Sequence, residues 1–98
     1  MTTPHPADGP LLTEGIPAGP GGVMTTEVGV ITGDLTLRTD WDGRQALLTV
    51  QYDGADEWYT VEGSPVPAPT AAEAEGAHLA MTAAVRRGGA ATAADLGR

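Results

Sequence analysis

The sequence predicts an α+β domain: a three-stranded antiparallel β-meander packed on one C-terminal α-helix, behind a disordered N-terminal tail. Three observations predict it. Apolar and polar residues alternate with a period of two from Val28; two dipeptides, Asp42-Gly43 and Asp53-Gly54, punctuate that alternation as hairpin turns; and a capped apolar stripe runs from Thr70 to Gly88. The domain therefore spans residues 28–89, with a tail over 1–27 and a flexible C-terminal segment over 90–98.

The first segment carries Pro4, Pro6, Pro10, Pro17 and Pro20 among five glycines and shows neither helical nor strand periodicity. Such a composition buries too little apolar surface to offset the entropy of ordering, and disorder is expected. Leu11, Leu12 and Ile16 stand out within it as a short docking motif that would order on a partner. The opening Met-Thr-Thr recurs at Met24, which makes Met24 an alternative start of translation.

From Val28 to Trp41, Ile31, Leu35, Leu37 and Trp41 are apolar, while Thr32, Asp34, Thr36, Arg38 and Asp40 fall on the other face, as in a half-buried strand. A two-residue turn at Asp42-Gly43 pairs Leu37 with Leu48 and Leu35 with Val50. It also places Ala46, Leu48, Val50 and Tyr52 on the inner face. The next turn, of two or four residues, gives the third strand Tyr59 and Val61 inward and Trp58, Thr60 and Glu62 outward. Ser64 to Pro69 reads as an extended crossover, because its prolines cannot donate to a ladder.

Thr70-Ala-Ala-Glu73 is a capping box, and Arg86, Arg87, Gly88 and Gly89 form a matching stop, so the helix is predicted over residues 71–87. Ala74, Ala77, His78, Met81, Ala84 and Val85 share the stripe that would lie on the sheet. Leu79 falls outside it. The β-β-β-α order is similar to the core of double-stranded-RNA-binding domains and to small DNA-binding domains of some integrases. That resemblance is one of topology alone. Those modules use arginine and lysine where residues 28–66 here carry seven acids against Arg38 and Arg44.

Charge and composition restrict function more than any motif does. A formal net charge of -8 disfavours direct nucleic-acid binding. The absence of cysteine removes a disulfide framework and a thiolate nucleophile, no stretch is long enough to span a bilayer as a helix, and a cytoplasmic location is expected. The carboxylates at the two Asp-Gly turns are hard oxygen donors, but a nine-residue strand of roughly 30 Å separates them. Neither turn has a calcium-loop spacing, so no metal and no cofactor is expected.

His78 with Glu75 one turn earlier is a base-and-orienter pair of the kind a small enzyme or enzyme accessory would use, although no nucleophile accompanies it. Trp58 is the stronger candidate. A large aromatic on an outer sheet face is costly to leave in water and common at interface hot spots. With Leu47, Arg38, Gln51 and Glu62 it defines an expected partner-binding face. The leading expectation is thus a small acidic non-enzymatic interaction or regulatory module that binds a protein or a second copy of itself. The alternatives are an acidic mimic of nucleic acid that occupies a basic protein surface, and the His78–Glu75 enzyme.

Overall fold

A computed structural model describes residues 9–97. Its strands are β1 (Leu11–Pro17), β2 (Val23–Thr25), β3 (Gly29–Ile31), β4 (Asp34–Trp41), β5 (Gln45–Tyr52), β6 (Tyr59–Thr60) and β7 (Val66–Pro67). Helix α1 (Ala71–Arg87) and a final 3-10 turn (Ala93–Gly97) complete the chain. The class is α+β with antiparallel sheets and one long C-terminal helix, but the main sheet has five strands rather than three. Its order is β1-β4-β5-β6, with β7 pairing the other half of the β5 edge, and β2 and β3 form a separate hairpin.

The predicted first strand is divided. Gly33 adopts a positive φ of 94° and turns the chain, so that β3 pairs with β2 while β4 enters the main sheet. The β4–β5 hairpin pairs Leu37 with Val50 and Leu35 with Tyr52, two residues away from the expected register. The turn is centred on Gly43 and Arg44, and the Asp42 carboxylate accepts the N–H groups of Arg44 (2.8 Å) and Gln45 (2.7 Å). A slip of two leaves the faces unchanged, so Leu35, Leu37, Ala46, Leu48 and Val50 are all buried as the alternation requires. Tyr52, at the end of the strand, is exposed. Six residues, 53–58, separate β5 from β6, an even number that keeps the expected facing, and Val61 is fully buried.

From Leu11 onward, the segment read as a tail takes part in the fold. Residues 1–8 lie outside the described residues, but β1 pairs with β4, with Leu11 opposite Thr39 and Ile16 opposite Leu35. Ile16 is fully buried, so Leu11 and Ile16 dock on their own sheet rather than awaiting a partner. A chain begun at Met24 would lack this strand altogether. The glycines here allow contact instead of flexibility. Gly19 N–H donates to the Val85 carbonyl (3.0 Å), and the N–H groups of Gly89, Ala90 and Ala91 donate to the carbonyls of Pro20, Gly21 and Gly22 (2.6, 2.9 and 3.0 Å). Residues 19–22 thus lie backbone against backbone with residues 88–91. A Cβ on Gly19 would overlap the carbonyl oxygens of Arg86 and Arg87, and one on Gly88 would overlap Gly19 and the Pro20 carbonyl.

The C-terminal segment is likewise packed. Val23 bridges Ala91, Ala93 N–H donates to the Glu62 carbonyl (2.7 Å), and Ala91 and Ala93 are buried. The proline crossover contains β7, because Pro67 leaves the ladder to its neighbour: Ala68 N–H donates to the Arg44 carbonyl (2.9 Å).

Helix α1 has the predicted boundaries. The Thr70 hydroxyl accepts from Glu73 N–H (3.1 Å), and Gly88 closes the far end. Its buried residues are Ala74, His78, Met81, Ala84 and Val85, with Ala77 half-buried beside them. Met81, Ala84 and Val85 meet the inner face of the sheet and the β2–β3 hairpin in one core with Ile16, Val23, Leu35, Leu37, Leu48, Val50 and Val61. A smaller cluster of Ala46, Ala68 and Ala74 is closed by Trp41, whose indole N–H donates to the Ala68 carbonyl (2.7 Å). Among the described residues no helix is long and apolar enough to cross a membrane.

Candidate interaction face

The outer face of the main sheet is set by the even positions of β4 and the odd positions of β5. Arg38 lies opposite Thr49, which lies opposite Thr60; Asp40 lies opposite Leu47; Thr36 lies opposite Gln51. Extended by the same register, the strand before β6 brings Trp58 beside Gln51, whereas Glu62 lies in the turn after β6, where its N–H donates to the Met24 carbonyl (2.9 Å) and its carboxylate accepts from the Thr26 hydroxyl (3.5 Å). The face therefore gathers Arg38, Leu47, Gln51 and Trp58, and Glu62 lies off the paired strands. Arg38 and Trp58 are also in direct contact. The guanidinium carbon is 5.7 Å from the indole centroid, a cation–π geometry that reaches diagonally across β5. Asp40 fixes the guanidinium from the other side, accepting Nε–H at 2.9 Å and Nη2–H at 3.1 Å. Trp58 is half-buried, so one ring face is covered by Arg38 while the residue remains reachable from solvent.

Two leucines border this platform. Leu47 is 39% exposed, and Leu12, opposite Arg38 on β1, is 53% exposed. The sequence marks Leu12 only as part of a short docking motif in a tail, not as the outer-face neighbour of Arg38. Leu11-Leu12-Thr13 carries no apolar–polar alternation to mark a strand, and the bulge between Thr13 and Ile16 breaks the period again. Beyond Leu47 the face dips into a shallow cleft of about 290 Å³ lined by Asp40, Trp41, Asp42, Gln45, Leu47 and Pro65.

The carboxylates of this region largely serve the backbone. Asp53 accepts from Gly15 N–H (3.2 Å) and from the Thr36 hydroxyl (2.6 Å), tying the β1 bulge to the sheet. Glu27 accepts both the hydroxyl and the N–H of Thr60 at 2.7 Å, and these bonds hold its pKa below the ordinary value. The same effect, from Gln45 and Arg44 N–H, lowers that of Asp42. The Tyr59 hydroxyl donates to Glu57 (3.0 Å), which raises the Tyr59 pKa. Among the described residues no group of three acidic, histidine or cysteine side chains could hold a metal ion.

His78 lies beneath the opposite face, only 5% exposed. Nε2 is 2.8 Å from the Thr13 hydroxyl and Nδ1 is 2.7 Å from the Thr39 hydroxyl. A neutral imidazole has one donor and one acceptor, and a hydroxyl can serve either, so both ring nitrogens are satisfied in either tautomer. Burial alone pushes the His78 pKa down. No hydrogen bond joins it to Glu75, and the threonines occupy the positions a catalytic orienter and substrate would need. The expected base-and-orienter pair is not assembled.

No family model matches the chain, and neither curated proteins nor solved structures provide a similar one.

Proposed function

We propose that the protein is a small non-enzymatic interaction or regulatory module that binds a protein partner through the outer sheet face, in the cytoplasm to which its cysteine-free sequence is suited. The observation that carries this reading is the Trp58–Arg38–Asp40 arrangement, an aromatic anchor fixed by a charge-paired guanidinium between the exposed side chains of Leu12 and Leu47. Pre-ordered aromatic and arginine side chains lose little entropy on binding, which is why such groups dominate interface energetics. The test compares wild type, Trp58→Ala and Leu47→Glu as baits in nuclease-treated lysate, with quantitative mass spectrometry of retained proteins. A partner retained by wild type and depleted from both variants supports the reading; partners retained equally by all three refute it.

A second reading draws on charge. Asp34, Asp40, Asp42, Asp53, Asp56, Glu57 and Glu62 outnumber the arginines of the same stretch and suit an acidic mimic seated on a basic, nucleic-acid-binding surface. Binding of that kind weakens steeply with added salt. A captured partner whose retention is unaffected by salt excludes it.

A further inference from the structure

We propose that two copies of this chain associate through the outer faces of their α1 helices, packed antiparallel. The side of α1 turned away from the sheet is atypical of a solvated helix. At about 100° per residue, Ala72, Gly76, Leu79 and Ala83 fall within roughly 60° of one another, and all are exposed. Leu79, 69% exposed, is the most exposed large apolar side chain among the described residues. Residues 76–83 contain no Asp, Glu, Lys or Arg on any side. On one flank the surface drops into a groove of about 750 Å³ beside Gly76 and Ala80, walled by Val66, Pro67 and Leu96.

The charges at the two ends of the helix select the occupant. Glu73 and Glu75 lie in the first half and Arg86 and Arg87 in the last turn, and none is in an ion pair among the described residues. An antiparallel copy centred on Ala80 sets Glu73 against Arg87 and Glu75 against Arg86, each pair occurring twice by symmetry. A parallel copy would oppose like charges at both ends. The face is therefore self-complementary in the way a two-fold interface requires, with Leu79 and its symmetry mate at the centre and small residues allowing close approach of the backbones. The helix dipole accounts for the charges at the ends, but not for the three uncharged turns and exposed leucine between them. Since the sheet's outer face lies on the opposite side of the molecule, such a dimer presents two copies of the Trp58 platform facing away from each other.

Sedimentation velocity on the purified full chain tests this from about 1 µM to several hundred µM. Wild type should show a monomer–dimer equilibrium. Leu79→Glu and, as a second probe, Ala83→Glu should each raise the dissociation constant at least about tenfold. Both positions are exposed, and unchanged circular dichroism confirms folding. Glu73→Lys/Glu75→Lys and Arg86→Glu/Arg87→Glu should each dimerise more weakly alone, and an equimolar mixture should recover the dimer. Wild type that stays monomeric throughout overturns the proposal, as does a dimer unaffected by the two glutamate variants or a charge-swapped pair that fails to recombine. Association that requires an added lysate protein assigns the face to another partner and equally overturns it.

Discussion

Acidification from about pH 7.5 to about pH 5.5 should destabilise the fold, and His78 should carry most of the loss. Its imidazole is buried between Thr13 and Thr39, and burial lowers its pKa from the ordinary 6.5. Across this interval the unfolded chain takes up a proton at that histidine and the folded chain resists doing so. The unfolded state thus binds more protons, and stability falls as the pH falls through 6.5. One proton limits the slope to about 1.4 kcal/mol per pH unit, and integration over the interval gives at most about 1.4 kcal/mol. For a domain of this size that corresponds to a fall in Tm of about 5–10 °C. The carboxylates with lowered values, Glu27 and Asp42, contribute stability that is lost only as the pH falls below 4.5 and 3.8, outside the interval. Thermal melts by circular dichroism at the two pH values, on wild type and His78→Gln, isolate the effect. The variant starts from a lower Tm, but the difference between its two melts should largely vanish, His5 contributing equally to both proteins. A wild-type Tm independent of pH, or a pH difference that persists undiminished in the variant, would refute the reasoning.

Other substitutions probe the scaffold. Gly19→Ala introduces a methyl group into the carbonyls of Arg86 and Arg87 and should cost about 1–3 kcal/mol or more, read as a lower urea midpoint; a midpoint equal to wild type would show that the contact with the last turn of α1 is loose. Gly76→Ala meets nothing within 4 Å and removes a helix-interior glycine, so at monomeric concentration it should stabilise by about 1 kcal/mol, and a lower Tm would contradict the open environment. Thr70→Ala removes the N-cap acceptor for Glu73 N–H and should cost about 1 kcal/mol, again by urea unfolding.

Legibility followed the range of the interactions. The ends of α1 could be read because Thr70, Glu73 and Gly88 act within a single turn of the chain. The facing of β4, β5 and β6 could be read because it depends only on parity, which survived the two-residue slip at Gly43 and Arg44. Trp58 was placed outward by that parity. Its contact with Arg38 depends on register, and register was set by the Asp42 side chain capping the turn rather than by the dipeptide that marks it. Residues 11–27 misled for a different reason. Proline and glycine are the usual signs of a chain with nothing to bury, whereas here Gly19 and Gly22 are small so that another backbone can lie against them. In β1 the adjacent Leu11 and Leu12 and the bulge after Thr13 leave no alternation to read, so nothing local marks Leu12 as the outer-face leucine opposite Arg38. Because the partners of both features lie far along the chain, local pattern could not reveal them.

The apposition of residues 19–22 with 88–91 also dictates when the protein can become itself. Its two halves are separated by roughly 70 residues of chain, a span that makes closure a late and non-local event. During synthesis the hairpins of β4, β5 and β6 can emerge and pair while the helix is still being made, but the first strand has no finished core to cover until the last turn of α1 and the glycines beyond it have left the ribosome. A nascent chain stalled anywhere before Gly88 would hold Ile16 and Val23 without their full complement of neighbours, and would be recognised by chaperones and proteases as unfinished. Residues 88–93, though remote from the Trp58 platform, thus complete the core that the sheet beneath it rests on.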